Sequence, residues 1–517
     1  MIDADKRKGI VLNYLDKGYL VSKECIDTNL CVDVRHLEES DCLIILSDTI
    51  NIKNAKDCNW LELDRARVMY EKRQNSKIIQ KFSAFADKEE IKIVIPEENS
   101  VKITYSYDKD TVKKREVADF VTYFNKRYSV IEKILRQRKE LENSVSISRI
   151  LARREKNNVS IIGFVMNKRE TRNGHLMLTL EDKTGIIKVL INKDRFELFK
   201  QAKELVLDEI IGITGTNGDK IVFANNIFIP DIPTNKELKK SSDEVYALFL
   251  SDLHVGSNKF LPDEFNKFLK WINMELGDEK QKKIASKVKY IFIAGDLVDG
   301  VGIYPGQEEN LVITDIYEQY KECANYLKQI PSHIKMIICP GNHDAMRIAE
   351  PQPKFYEDFS KPILDLPNAT FVSNPAHVNI HADENFSGFD VMMYHGASFD
   401  YYVSNVDSIR NQGGYDKGEL IMKFLLQRRH LAPSHSSTPY LPETDHDPLV
   451  ISKVPDFFVT GHIHKSVVSS YRNVSLICGS CWQSKTSFDE KMGHEPEPAR
   501  VPIMNLQTRQ IKILRFQ

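Results

Sequence analysis

Five short polar motifs in the second half of the chain constrain its fold more than any other feature of the sequence. Each follows directly on a short apolar run of the kind that forms a buried β-strand. The motifs are Ser251-Asp252-Leu253-His254, Gly295-Asp296, Gly341-Asn342-His343-Asp344, Tyr394-His395-Gly396 and Gly461-His462-Ile463-His464. Because open α/β sheets place their ligands at the carboxyl ends of strands, we expect the motifs to meet at one edge of a sheet.

Residues 236–517 are therefore predicted to form an α/β domain, in which short buried strands alternate with helices. The predicted strands are Val245–Leu250, Tyr290–Ala294, Lys335–Cys339, Val391–Tyr394, Phe457–Thr460 and Val474–Cys478. Amphipathic patterns indicate helices over Phe265–Leu276 and Ile316–Ile330 between them.

Residues 147–235 have a different pattern, in which β-like runs follow one another with one helical run, Asp194–Leu205. The β-like runs are Val159–Met166, Leu176–Leu180, Ile186–Ile191, Glu209–Thr214 and Lys220–Ile229. Five strands with a helix between the third and fourth predict an OB-fold, a small barrel that often binds nucleic acid but can be purely structural. The loop after the first strand is basic, and Lys168, Arg169 and Arg172 are candidate contacts to DNA phosphates.

Two segments precede the barrel. Residues 1–75 are predicted to form a small helical module with one helix over Asp57–Arg73. Residues 76–146 are predicted to be a linker with a basic amphipathic helix, since nine basic and three acidic residues lie between Lys113 and Lys139. That helix has either a solvated charged face or a face for nucleic acid or an acidic partner. The predicted fold class is α+β: the small module, the OB-fold barrel and a two-sheet α/β domain.

Composition narrows the class of protein further. Apolar residues make up 42% and charged residues 28% of the 517 residues, which is typical of globular domains. No apolar run approaches the ~20 residues that span a bilayer, and the N-terminus lacks the apolar core of a signal peptide. Eight scattered cysteines indicate a reducing compartment, so we expect a cytoplasmic, nucleoid-associated protein without a membrane partner. The net charge of −1 neither favours nor excludes nucleic acid.

The motifs supply donors that suit divalent metal ions. Two carboxylates, one amide oxygen and four imidazoles favour Mn²⁺, Fe²⁺ or Zn²⁺, and the lack of thiolates argues against a structural zinc site. Seven donors exceed the roughly four that one metal takes from a protein, which predicts two metals. Two metals activate water and neutralise a phosphoryl group, and a carboxylate such as Asp296 can bridge them.

The order of these motifs resembles the calcineurin-like metallophosphoesterase superfamily, which includes phosphatases, phosphodiesterases and DNA nucleases. Three stretches narrow the resemblance to the small subunit of archaeal family-D DNA polymerase. They are Pro340–Pro353 (PGNHDAMRIAEPQP), His395–Asp400 (HGASFD) and Arg428–Pro433 (RRHLAP). An OB-fold in front of the phosphoesterase domain fits the same family. The resemblance is strong over residues 245–485 and thin before residue 140.

This resemblance implies a 3′→5′ proofreading exonuclease with two divalent metal ions, in the first place Mn²⁺. It also implies a large polymerising subunit as partner, single-stranded or mismatched DNA 3′ ends as substrate, and a sliding clamp reached through the holoenzyme. The similar small subunits of eukaryotic replicative polymerases have lost metal ligands. This chain retains them, which favours an active site.

The resemblance also assigns roles to individual residues. One metal would be held by Asp252, His254 and His464, and the other by Asn342, His395 and His462, with Asp296 between them. His343 would contact the scissile phosphate or protonate the leaving 3′ oxygen, and Asp344 would orient His343. Arg347 is a candidate contact to DNA phosphates or to the partner subunit.

Other interpretations remain open at this point. A double-strand-break repair nuclease of the same superfamily is the first, but the barrel and the stretch Arg347–Pro353 favour a polymerase subunit. A non-catalytic scaffold joining polymerase, clamp and helicase is the second, but no ligand is lost. A small-molecule phosphodiesterase would not need the long N-terminal segments.

Overall fold

The computed structural model describes residues 101–108, 114–153, 155–486, 490 and 494–517, and the backbone of two short N-terminal strands. The chain divides into two compact units, Met1–Pro96 and Glu97–Gln517. In the first unit, β1 (Leu20–Val21) pairs in parallel with β2 (Ile44–Ile45). The helix predicted over residues 57–73 lies outside the described residues. Among the helices that the structure describes, none is long and apolar enough to cross a bilayer.

The segment predicted as a linker contributes to the folded core of the second unit. It contains strand β3 (Lys102–Ser106) and helix α1 (Val117–Leu135), and helix α2 (Ile147–Leu151) follows at the start of the segment predicted as the barrel. A capping box between Glu116 and Asp119 starts α1, which lies within the stretch predicted as a basic amphipathic helix. Its Tyr123 enters the core of the α/β domain, whereas Tyr128, Ile131 and Leu135 pack against the barrel. The helix thus joins two domains through its buried face.

A buried ion pair fastens α1 to the α/β domain. The Arg127 guanidinium, 1% exposed, donates to Asp447 Oδ2 at 2.6 Å. The same carboxylate accepts from Tyr123 Oη at 2.7 Å and lies 2.9 Å from His430 Nε2. Although burial opposes ionisation, Arg127 holds the pKa of Asp447 well below its ordinary value. The one cation of α1 that is fully buried therefore has a structural role.

Arg127→Met is expected to lower the free energy of unfolding by about 3–5 kcal/mol, because the Asp447 charge would remain buried and unpaired. Denaturant unfolding would measure the loss. The matched control is Lys321→Met in the exposed pair with Glu318 (60% and 57% exposed), where about 0–1 kcal/mol is expected. Because the Asp447 pKa is lowered on folding, the difference between wild type and Arg127→Met should shrink as the pH falls below about 4. A loss equal to the control at pH 7 would contradict the prediction.

The OB-fold prediction is confirmed by a closed five-stranded barrel. Its strand order is β4-β5-β6-β8-β7, and α3 lies between the third and fourth strands, as predicted. Asp182 makes the tight turn between the second and third strands, accepting from the amides of Thr184 and Gly185 at 2.7 and 3.0 Å. The elements are β4 (Asn158–Glu170), β5 (Leu176–Asp182), β6 (Gly185–Ile191), α3 (Phe196–Lys203), β7 (Ile210–Asn217) and β8 (Ile221–Phe228).

The α/β domain is built on two six-stranded sheets. Its strands are β9 (Tyr246–Leu250), β10 (Val288–Ala294), β11 (Lys335–Cys339), β12 (Ala369–Phe371), β13 (Ala376–Ile380), β14 (Phe389–Met393), β15 (Phe457–Thr460), β16 (Val467–Tyr471), β17 (Val474–Cys478), β18 (Arg500–Asn505) and β19 (Ile511–Arg515). Its helices are α4 (Pro262–Ile272), α5 (Glu279–Ala285), α6 (Ile316–Leu327), α7 (Glu357–Leu364), α8 (Phe399–Asn405), α9 (Asp407–Asn411) and α10 (Gly418–Arg428), with 3₁₀ turns at Gln307–Asn310 and Gly414–Lys417.

The two sheets face each other across a shared core. One has the order β12-β11-β10-β9-β18-β19 and the other β16-β17-β15-β14-β13-β3, so the N-terminal strand β3 forms an edge. Phe249 of the first sheet meets Phe457 of the second edge to face, with ring centroids 6.4 Å apart. Strands β9 to β12 run parallel, as do β14, β15 and β17. The carboxyl ends of parallel strands therefore gather at one end of each sheet.

Candidate metal centre

The five motifs meet where β9, β10, β11, β14 and β15 end, as the sequence predicts. Backbone hydrogen bonds tie neighbouring motifs together. The amides of Asp252 and His254 donate to the carbonyls of Gly295 and Asp296 at 2.9 and 3.1 Å. The amide of Gly461 donates to the His395 carbonyl at 2.8 Å. The strand ends thereby position one compact set of side chains.

Five of the seven predicted ligands have left-handed backbone conformations. The φ angles are 51° at Asp252, 52° at His254, 53° at Asp296, 71° at His462 and 53° at His464. Non-glycine residues adopt positive φ rarely, and such strain concentrates at functional sites. The fold therefore holds these side chains in positions that a relaxed loop would not choose.

Two glycines leave room for the carboxylates. A β-carbon at Gly341 would lie 2.2 Å from Asp296 Oδ1, and one at Gly461 would lie 2.6 Å from Asp252 Oδ2. Neither carboxylate could stay in place beside a side chain at these positions. The glycines of two motifs are thus required by the geometry of the carboxylates.

The first group of donors comprises Asp252, His254 and His464. The Nε2 atoms of His254 and His464 are 3.1 Å apart. Asp252 Oδ1 lies 3.6 Å from His464 Nε2 and 3.9 Å from His254 Nε2. These imidazole nitrogens and the buried carboxylate lie close enough together to hold one cation.

The second group comprises Asn342, His395 and His462. Asn342 Oδ1 lies 2.9 Å from His395 Nε2 and 3.0 Å from His462 Nδ1. Asp296 lies between the groups, because its Oδ2 is 3.3 Å from His395 Nε2 and 3.9 Å from His254 Nε2. The structure thus brings all seven predicted ligands together in the predicted two groups.

The opposite nitrogens of three imidazoles are braced by other residues. Metal-binding histidines ordinarily donate this second N–H to a carboxylate or carbonyl, which fixes the ring. The braces are Asp299 Oδ1 on His254 Nδ1 at 3.0 Å, the Ala294 carbonyl on His395 Nδ1 at 2.8 Å and Asp400 Oδ2 on His462 Nε2 at 3.1 Å. The donor set and its braces therefore fit a pair of divalent cations.

Neighbouring ionisable side chains in the site shift one another's pKa values strongly. Although burial opposes both shifts, His395 lowers the pKa of Asp296 well below its ordinary value, and Asp296 raises the pKa of His395 to about 10. Without cations the Asp296 carboxylate thus favours a proton on the His395 imidazole. Since a metal ion must displace this proton, its binding should strengthen as pH rises.

Comparisons with known proteins agree with this geometry. The calcineurin-like phosphoesterase family matches residues 246–466, and the OB-fold nucleic acid binding domain family matches residues 159–217. The DNA polymerase II small subunit of Methanothermobacter thermautotrophicus is 40% identical over 401 residues, covering 78% of this chain and 80% of that protein. This chain belongs to the family of DNA polymerase II small subunits. The predicted family and fold are therefore confirmed.

Other members of the family differ in how much of their length is matched. The Pyrococcus abyssi small subunit is 41% identical over 77% of this chain and 63% of its own length. For Archaeoglobus fulgidus the identity is 41%, over 75% of both chains. A solved archaeal phosphodiesterase aligns with 52% of this chain at 12% identity and a TM-score of 0.26, which is too low to support an inference.

The two residues predicted to be catalytic have different surroundings. His343 borders the first group of donors, with its ring centroid 4.7 Å from that of His254. Its Nδ1 lies 2.8 Å from the Asp299 carbonyl oxygen, which can only accept, so Nδ1 carries the proton. Burial lowers the pKa of His343, although the Asp296 carboxylate opposes this shift. The arrangement leaves Nε2 for a substrate.

The predicted role of Asp344 in orienting His343 is corrected by the structure. The Asp344 carboxylate accepts from the amides of Gly341, Asp296 and Leu297 at 2.8, 2.9 and 3.2 Å. Burial and the neighbouring Asp296 charge raise its pKa to about 7. Asp344 therefore fixes the backbone of two motifs, and the carbonyl of Asp299 orients His343.

Sequence reasoning missed Asp299 and Asp400 as functional residues. Asp299 contacts His254 through its carboxylate and His343 through its carbonyl. Asp400 braces His462 and accepts from Tyr415 Oη at 2.9 Å. A signal was present, because Asp299 closes the stretch Gly-Asp-Leu-Val-Asp and Asp400 closes the stretch HGASFD. Their roles depend on partners far away in the sequence.

The four predicted DNA-contacting side chains are not equivalent. Lys168 Nζ donates to the carbonyls of Lys203 and Leu205 at 2.6 and 2.7 Å, at the end of α3. Arg347 Nε donates to the Pro351 carbonyl at 3.1 Å. Arg169 and Arg172 are exposed, and no hydrogen bond joins either side chain to another described residue. The prediction of phosphate contacts therefore depends mainly on these last two residues.

Proposed function

We propose that this chain is the 3′→5′ exonuclease subunit of a two-subunit DNA polymerase and removes mismatched nucleotides from the primer end. The strongest support is the braced set of seven donors, because a subunit acting only as a scaffold would not need it. The names of its relatives support a large polymerase subunit as partner. We further propose that the subunit works at the nucleoid and contacts the sliding clamp through the holoenzyme.

The proposed chemistry is hydrolysis of the terminal phosphodiester. When bound, two divalent cations, in the first place Mn²⁺, would activate the attacking water and neutralise the phosphoryl oxygens. Asp252, His254 and His464 would hold one cation and Asn342, His395 and His462 the other, with Asp296 shared. The chain's own residues would orient the phosphate and protonate the leaving oxygen.

His343 is the proposed general acid. Hydrolysis breaks the bond between phosphorus and the 3′ oxygen of the preceding nucleotide, and that oxygen needs a proton as it leaves. Donation from Nδ1 to the Asp299 carbonyl fixes the ring and directs Nε2 to the phosphate. Nε2 has a proton to give only in the imidazolium form, which burial disfavours and the Asp296 carboxylate favours; this form gives its Nε2 proton to the leaving oxygen and returns to the neutral ring. Asp344 keeps the loop of His343 in register with Asp296 through backbone hydrogen bonds.

The barrel is the proposed guide for the single strand. Met177, Leu190 and Phe223 are aligned across three adjacent strands, β5, β6 and β8, and Phe223 is 47% exposed. Arg169, near the end of β4, pairs with Met177 of β5, and Arg172 lies in the turn between these two strands. An exposed aromatic side chain in line with a basic residue, as Phe223 is with Arg169, is a feature of barrels that bind single strands without sequence preference. We therefore place DNA contacts on Arg169 and Arg172 before Lys168 and Arg347.

A primer series labelled at the 5′ end tests the proposal. A frayed 3′ end costs least at a mismatch, so digestion from the 3′ end should be faster for mismatched than for matched primers. The measurement uses the chain alone and with its co-purified large subunit, in Mn²⁺. Equal rates on matched and mismatched ends would favour the repair nuclease, and products that shorten from the 5′ end would exclude the proposed polarity.

A further inference from the structure

An exposed apolar loop lies beside His343. Residues 301–306 read Val-Gly-Ile-Tyr-Pro-Gly, and all six are exposed to solvent. The exposed fractions of Val301, Ile303 and Tyr304 are 44%, 39% and 38%. Clustered apolar side chains at a surface commonly mark a binding site, and the metal centre needs none of these three.

Two fully buried glutamines fix the base of the loop. Gln307 accepts from the Ile303 amide at 2.9 Å and donates to the Asp299 carbonyl at 2.9 Å. Gln319 accepts from the Gly300 amide at 2.9 Å and donates to the Gly300 carbonyl at 3.1 Å. The apolar side chains are therefore presented by an anchored backbone.

The anchor places the loop against the proposed general acid. A β-carbon at Gly300 would lie 2.3 Å from the His343 carbonyl oxygen and 2.9 Å from Ile303 Cδ1. Ile303 thus contacts the same small region as the backbone of His343. Tyr304 follows Ile303 in the chain. Burial raises the pKa of Tyr304, and the negative charge of Asp299 raises it further. Asp299 in turn contacts both His254 and His343.

We propose that Ile303 and Tyr304 hold the base of the 3′-terminal nucleotide while His343 and the metal centre act on its phosphate. A nucleotide has a charged phosphate and, one sugar away, a base with an apolar face. On the protein, the metal centre and the apolar loop 301–306 lie side by side in the same way. Because every base has a similar apolar face, such a contact would be tolerant of sequence. A base inside a duplex stack cannot reach it, so the loop would select unpaired ends.

This inference depends on the proposed exonuclease function and names the contact by which that site would select frayed ends. The test pairs two changes, Tyr304→Ser in the protein and removal of the 3′-terminal base in a short single strand. Each change alone should raise KM roughly 5- to 150-fold, the range found for stacking one base on an aromatic side chain. Combined, they should raise KM little further, because both remove the same contact.

Variants of matched chemistry separate this contact from general damage. Tyr304→Phe keeps the ring and should keep the wild-type KM. Ile303→Ser should raise KM, whereas Ile513→Ser, at a position 40% exposed on the edge strand β19, should not. Additive effects of Tyr304→Ser and base removal would overturn the proposal. So would loss of large-subunit binding by Tyr304→Ser with unchanged DNA binding, which would make the loop a subunit contact.

Binding without divalent metal distinguishes failure of this inference from failure of the proposed function. Under these conditions no hydrolysis occurs, and the Kd of the short strand with and without its terminal base can be compared directly. If the chain digests no DNA but binds the strand with its terminal base more tightly than the strand without it, the proposed exonuclease function is wrong and the base contact at Ile303 and Tyr304 is supported. Equal Kd values for the two strands would refute the proposed base contact, whether or not the chain digests DNA.

Discussion

Replacing His343 by alanine is expected to reduce exonuclease activity by about 10²–10⁴-fold while both metal ions stay bound. The residue lies beside the donor groups, but its Nδ1 is occupied by the Asp299 carbonyl at 2.8 Å. Its Nε2 therefore serves the leaving oxygen in our proposal. Removing it takes away a proton donor and leaves the seven proposed ligands in place.

Metal content and single-turnover rate have to be measured on the same His343→Ala sample. The matched control is His333→Ala, since His333 is exposed and lies outside the five motifs. Loss of a metal ion in His343→Ala would show that the imidazole is a ligand. An unchanged rate would remove His343 from the mechanism, and a fall in the His333→Ala rate would point to a general effect on the chain.

Short buried strands and the motifs that follow them were predicted well from sequence. Lys335–Cys339, Phe457–Thr460 and Val474–Cys478 have the predicted bounds in the structure. These strands are mostly apolar and almost entirely buried, which is the pattern of parallel strands covered on both faces. The carboxyl ends of neighbouring parallel strands lie at the same edge of a sheet, so the motifs that follow these strands meet there. The residues of the site could therefore be predicted from the positions of the strands in the sequence.

Edge strands and the orientation of individual side chains could not be predicted in this way. Strand β3 belongs to a segment predicted as a linker, because its pairing partner β13 lies about 270 residues later in the sequence and the strand itself is short and mostly exposed. Likewise, Asp344 follows His343 directly but accepts from backbone amides. The group that orients His343 is a carbonyl, which every residue type has. Such contacts leave no mark in a sequence motif.

Asp296→Ala is expected to lose both metal ions, which separates a bridging ligand from a terminal one. Asp296 Oδ2 lies 3.3 Å from a nitrogen of the second group and 3.9 Å from one of the first. In our proposal its negative charge offsets the repulsion between two cations held close together. Without it, the second group offers only an amide and two imidazoles, and the Asp252 carboxylate of the first group is the single negative charge left against two cations.

A variant of a residue that would bind only one metal serves as the comparison for Asp296→Ala. Asn342→Ala should lose one ion, because Asn342 Oδ1 contacts only His395 and His462 of the second group. Elemental analysis of each variant after loading with Mn²⁺ gives metal ions per chain, and circular dichroism checks the fold. Two ions in folded Asp296→Ala would refute the bridge. One ion would mean that Asp296 is a ligand of a single metal. An Asn342→Ala variant without metal would show that the two groups bind cations only as a unit, since the first group would then need the second to be occupied.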